Sequence, residues 1–133
     1  MIIIRKFITI ILATLISMTL LMLVLFDESL DLDFVYTVLF TSYMFSPFIL
    51  LYGVPVTFFS DYVTKQFSGV KRAFLAMIFH LFFGGIFPVL LGLIQDLSKT
   101  EANEVFIGAI TFSFFFWAFD EVIRRVLSTF HYY

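Results

Sequence analysis

The sequence contains no cysteine, which removes disulfides, thiolate metal sites and thiol redox chemistry from consideration. Charge is scarce as well: 14% of residues carry one, and a formal net charge of −2 is too near neutral to point to a charged partner. No basic patch or interleaving of basic and aromatic residues offers a grip for nucleic acid. Catalytic motifs are missing too. There is no H-E-x-x-H, no glycine-rich phosphate loop and no pair of acids within an apolar run. A hydrolase needs a nucleophile with a base in reach, and a metalloenzyme needs clustered ligands; histidine occurs here only at His80 and His131. Enzyme activity, a cofactor and a resident metal are not expected.

What fills the sequence instead is apolar. Hydrophobic residues make up 62% of the 133 positions, aromatics 21%, and phenylalanine alone occurs 21 times. A soluble domain of this length could not hide so much apolar surface. The composition therefore predicts one integral membrane domain over residues 1–133, with the lipid bilayer as its first partner. No internal repeat, low-complexity tract or linker divides it.

The clearest run covers residues 73–94 (AFLAMIFHLFFGGIFPVLLGLI), without Asp, Glu, Lys or Arg. As a helix it is long enough to cross a hydrocarbon core of about 30 Å. Ala76, His80, Gly84, Pro88 and Gly92 recur in it every four residues, along one ridge. Small residues on such a row let another helix's backbone come close, so this ridge is expected to be a helix contact.

Three further spans complete an all-α, four-helix membrane bundle, at about 7–26, 34–60 and 104–123. The first follows a short basic leader with Arg5 and Lys6. It reads as an uncleaved span, because no small-x-small cleavage site precedes Asp27 and the run is too long for a signal peptide. Thr9, Ala13 and Ser17 form a modest small ridge on it. The acidic loop 27–33 (DESLDLD) lacks the spacing and glycine of a calcium loop and is expected to be solvated.

The second span overshoots the bilayer, and Pro47, Gly53 and Pro55 predict a break between 47 and 55. Ser42, Ser46, Gly53, Thr57 and Ser60 fall on one stripe, either a helix contact or one wall of a polar pathway. The last apolar run, 105–119, continues as a helical face to about residue 130. There Asp120 and Glu121 precede Arg124 and Arg125 by four residues, the favourable order for intrahelical pairs.

Basic residues set the expected orientation. With both termini cytoplasmic, seven of the eight Lys and Arg lie inside and Lys99 alone lies outside, while the outer loops hold seven of ten acids. Tyr36, Tyr62 and Trp117 fall near span ends, where amphipathic rings sit. A multi-pass protein of a bacterial-type plasma membrane is expected.

His80 lies about 12 Å inward from Arg72 along its helix, and an ionisable group at that depth is a functional candidate. The expected role is nevertheless structural, as a neutral imidazole bonded to a neighbour. Asp61 and Asp120 are placed at the same leaflet, paired with Lys65 and Arg124.

Small multidrug transporters share the four-span layout but carry a carboxylate in their first span, which 7–26 lacks. Quinone-linked thiol oxidoreductases need cysteines. The layout, together with Tyr52-Gly53-Val54-Pro55 followed by Asp61, resembles the uncharacterised four-span membrane proteins of Bacillus-like Firmicutes. That resemblance implies the fold, no activity and no functional residues. The function expected is a non-enzymatic accessory, regulatory or immunity-type factor working through helix contacts, with another membrane protein or a second copy as partner. The alternative is a small oligomeric transporter or channel using the stripe and His80. A holin-like role is disfavoured by the absence of a strongly basic tail.

Overall fold

A computed structural model describes residues 2–25 and 31–130, and every regular element among them is helical. Helix α1 spans Ile2–Leu25, α2 Leu32–Phe48, α3 Val54–Thr64, α4 Gly69–Ile94 and α5 Lys99–Phe130. A π-helical turn, Ile49–Gly53, joins α2 to α3, so that Leu32–Thr64 forms one 33-residue rod. Four helices long and apolar enough to cross a membrane result, as the composition predicts. Each runs beyond its expected limits at one end or both, because charged residues at the ends are held inside the helices rather than in loops.

Local chemistry explains the boundaries. Asp31 caps α2 by accepting the Phe34 N–H at 2.8 Å, so this acid of the 27–33 loop has a structural task. Asp27 and Glu28 of that loop, and His131, lie outside the described residues. Gly69 opens α4 with φ of +58°, a backbone shape that costs glycine little. Ser98 and Glu101 form a reciprocal capping box at the start of α5, each accepting the other's backbone N–H.

The expected break at 47–55 takes the form of the π turn. Pro47 cannot donate to the Tyr43 carbonyl, and the Ser46 hydroxyl donates to it instead at 2.7 Å. At the end of the turn the Val54 N–H reaches back five residues to the Ile49 carbonyl, immediately before Pro55. The helix widens and carries on rather than stopping.

Packing is inverted relative to a soluble bundle. The inner faces are small or polar: Thr9, Ala13 and Ser17 on α1, Thr57, Ser60 and Thr64 on α3, and Ala73, Ala76, His80 and Gly84 on α4 are all buried. Large apolar side chains such as Ile3, Leu51, Leu93 and Ile94 point outward. Bilayer lipid is as apolar as leucine, so close backbone approach drives association and small residues take the interior. The buried larger hydrophobes Met18, Met22, Phe34 and Val38 gather with Leu23 and Phe112 where α1 meets α2 and α5.

Helix α5 is the centre of the bundle, packing most heavily on α4 and α1, while α2 rests on α1 and α3 on α4. Gly84 marks the tightest crossing. A Cβ built there would stand 2.1 Å from the Ser113 Oγ and 3.0 Å from the Ala109 carbonyl oxygen. The expected ridge therefore packs from Ala76 to Gly84. It does not pack to its end: Pro88 is half-buried, and nothing lies within 4 Å of a Cβ built at Gly92. Beyond Gly84 residues of both helices line a cavity, and equal spacing along one helix does not report the path of its neighbour.

Candidate functional site

Five charged side chains meet where the first turns of α1 approach the end of α3 and the last third of α5. Arg5 donates to Asp61 at 2.8 Å and to Asp120 at 3.2 Å. The Lys6 ammonium stands 2.9 Å from both carboxylates and 3.5 Å from the Thr57 carbonyl oxygen. Arg124 pairs with Asp61 and, at 3.4 Å, with Asp120. Lys6 is only 2% exposed, Asp120 5% and Arg5 8%, so this is an interior network rather than a surface one. The Phe58 ring lies 5.9 Å from the Lys6 nitrogen and adds a cation–π contact.

A second network braces α4 to α5 beside it, with Glu121 taking Arg72 and, at 2.9 Å, Arg125. The Trp117 indole N–H adds a bond to the Ala73 carbonyl at 2.8 Å. Because Arg5 and Lys6 of α1 pair with Asp120 of α5, the first and last helices place their outer turns at one end of the bundle. That end is tied shut by charge-assisted bonds across α1, α3, α4 and α5.

Asp61 and Asp120, expected at one level, are joined through shared cations. The Asp120–Arg124 and Glu121–Arg125 pairs form as expected. The expected Asp61–Lys65 pair does not. Lys65 instead lies over the Tyr62 ring at 4.1 Å, while Arg5, Lys6 and Arg124 occupy Asp61. Arg5 and Lys6 have the look of a basic leader, and their place among the buried carboxylates is not expected from the sequence. One signal did exist: Arg5 continues the Thr9-Ala13-Ser17 row back by four, pointing its side chain along the buried face of α1.

His80 stays apart from this network. Its Nδ1 is 2.8 Å from the Ala76 carbonyl of its own helix, and its buried Nε2 has no partner among the described residues. His80, Thr57 and Phe116 line the deep end of a 540 Å³ cavity. The cavity runs past Gly84, Gly108 and Phe87 to Gln95, Glu101 and Glu104 at the opposite end of the bundle. About 22 Å of helical rise separates His80 from Gln95, so the space reaches deep into the bundle.

The hydroxyl stripe of the second span meets this cavity only in part. Gly53 and Thr57 line it, Ser60 is fully buried beneath it, and Pro55 faces outward. The Thr57 hydroxyl donates to the Val54 carbonyl at 2.8 Å and that of Thr64 to Ser60 at 2.7 Å, so both are bonded within their own helix. Tyr52 crosses the bundle, donating to the Phe83 carbonyl at 2.6 Å. Among the described residues no group of three His, Cys, Asp or Glu is placed to hold a metal. The ion pairs brace the helices against one another. Comparison with known proteins finds no matching family model, no similar curated protein and no similar solved structure.

Proposed function

We propose that this multi-pass membrane protein is a non-enzymatic accessory, regulatory or immunity-type factor that acts by binding. The observation that carries the reading is the five-residue charge network. Two carboxylates are each shared among three cations, on three helices, with the lysine almost wholly buried. Charges held this way fix one arrangement of the helices, because moving any of them strands an ion in a low-dielectric interior. A brace of that kind suits a protein that presents a fixed shape to a partner. The distribution of basic residues supports placing the braced end at the cytoplasmic face, both termini with it. A bacterial plasma membrane suits that arrangement and the resemblance at Tyr52–Pro55 and Asp61.

The test is capture of partners from membranes by mild-detergent purification, wild type beside Asp120→Asn. A defined membrane protein recovered with the wild type and lost with the variant is the expected result. Recovery of the chain alone from cells in which it is active would overturn the reading.

One observation favours a second reading, a small oligomeric transporter. The cavity lining runs from His80 and Thr57 to Gln95, Glu101 and Glu104, and Lys6 of the charge network lies 3.5 Å from the Thr57 carbonyl oxygen, as along one half of a pathway. Liposome flux separates the two. A pH-dependent flux abolished by His80→Gln would establish transport, and no flux above protein-free vesicles would exclude it.

A further inference from the structure

The cavity combines a deep apolar body with a mouth of one charge sign. Its wall carries Phe48, Tyr52, Phe83 and Phe87, with Phe48 and Tyr52 set against Phe87 at ring separations of 6.0 and 5.3 Å. At the mouth, Glu101 and Glu104 are the lining residues that carry charge, and Gln95 adds a neutral amide. Lys99, the basic residue of the same turn, is exposed and does not line the space. Asp31 and Asp33 at the start of α2, and Asp96 between α4 and α5, add acidic charge at the same end of the bundle.

From this geometry we propose that the cavity is a binding site for a lipophilic organic cation, its apolar body among the aromatic rings and its charge toward Glu101 and Glu104. Three terms converge on that class. A 540 Å³ volume falls within the size range of small-molecule sites. The aromatic rings of the wall offer large apolar contact area to the ligand's body. Carboxylates at the entrance focus a negative field that concentrates cations and repels anions. At the deep end, the unpartnered His80 Nε2 offers a polar contact, and the Thr57 hydroxyl, which donates to Val54, is left to accept. The proposal goes beyond the accessory reading and rests on a different part of the molecule, so either stands if the other fails.

The test uses the full-length protein in nanodiscs of zwitterionic phosphatidylcholine. Equilibrium dialysis measures binding of radiolabelled tetraphenylphosphonium against empty nanodiscs. Tetraphenylborate, an anion of nearly the same size and shape, is measured separately. Saturable uptake of the cation above empty discs, absent for the anion, is the expected result. Glu101→Gln with Glu104→Gln should weaken it about fivefold, the factor that a pair of exposed charge contacts supplies. The glutamine at 101 keeps the capping box intact.

Gly108→Leu should abolish binding, because a Cβ there meets only Leu21 Cδ1 at 3.9 Å and the longer side chain extends into the cavity. Thr41→Phe fills the space from another helix and decides the matter if Gly108→Leu fails to fold. No cation uptake above empty discs, equal uptake of both ions, or full uptake by a folded filling variant would each overturn the proposal.

Discussion

At the scale of single residues, the charge network poses a question of balance. Arg5, Lys6 and Arg124 face Asp61 and Asp120, three cations to two anions. Removing a cation leaves the network even; removing an anion leaves three cations on one carboxylate. Lys6→Met should therefore cost less than Asp120→Asn, although Lys6 is the more deeply buried. Stranding buried charge costs about 3–5 kcal/mol, and Asp120→Asn is expected in that range. Lys65→Ala, outside the network, should cost under about 1 kcal/mol. Unfolding midpoints in dodecyl maltoside measure all three. A larger loss for Lys6→Met than for Asp120→Asn would show that the ammonium's own contacts, not the balance, set the stability.

His80 belongs to the same scale with the opposite expectation. Its Nδ1 contact is to a carbonyl one turn back on its own helix, which holds the ring but ties no two helices together. His80→Gln should fold like the wild type, and His80→Leu should lose roughly 0.6 kcal/mol, typical of a hydrogen bond inside a bilayer. Unfolding in detergent checks both; a loss of several kcal/mol for the glutamine would mean that the imidazole holds more than Ala76. The depth of His80 was legible from the sequence, because it follows from counting residues along a helix. The Asp61–Asp120 association was legible only as a shared level. Its cations were not, since two basic residues at a chain start are ordinarily read as topology signals.

Among the elements, α4 shows how far a repeat can be trusted. The four-residue spacing identified Ala76, His80 and Gly84 correctly as the face toward the bundle. It also offered Gly92, where there is open space. Spacing reports which side of a helix a residue occupies, whereas contact depends on the path of the neighbouring helix. Gly84→Ala should therefore disrupt the bundle by about 1–3 kcal/mol through overpacking against Ser113 and Ala109. Gly92→Ala should be neutral or stabilise by up to about 1 kcal/mol through helix propensity. Phe82→Leu, on the exposed side of α4, serves as the control. Detergent-melting midpoints decide the comparison, and a loss at Gly92 equal to that at Gly84 would indicate a partner helix covering the outer half of α4. The second span gives a similar lesson: two prolines and a glycine announced a break, but whether it becomes a kink, a gap or a π turn depends on which carbonyls find substitute donors.

For the whole molecule, topology and stability draw on the same basic residues in different ways. The orientation rule counts Lys and Arg as the chain inserts, before the helices pack, and acidic residues contribute little to it. The folded bundle, by contrast, uses Arg5 and Lys6 as internal ion-pair partners. The two roles separate in one variant. Wild-type reporter fusions after Asp31 and Lys99 should read as external, and those after Ser68 and Phe130 as cytoplasmic. With Arg5→Gln and Lys6→Gln together, Lys65, Lys71, Arg72, Arg124 and Arg125 still outnumber Lys99, so the fusion pattern should be unchanged. Arg124 alone would then serve both carboxylates, and the detergent-unfolding midpoint should fall by the equivalent of several kcal/mol. An inverted fusion pattern in the double variant would mean that the first two charges fix the orientation. An unchanged midpoint would mean that the network does not brace the bundle.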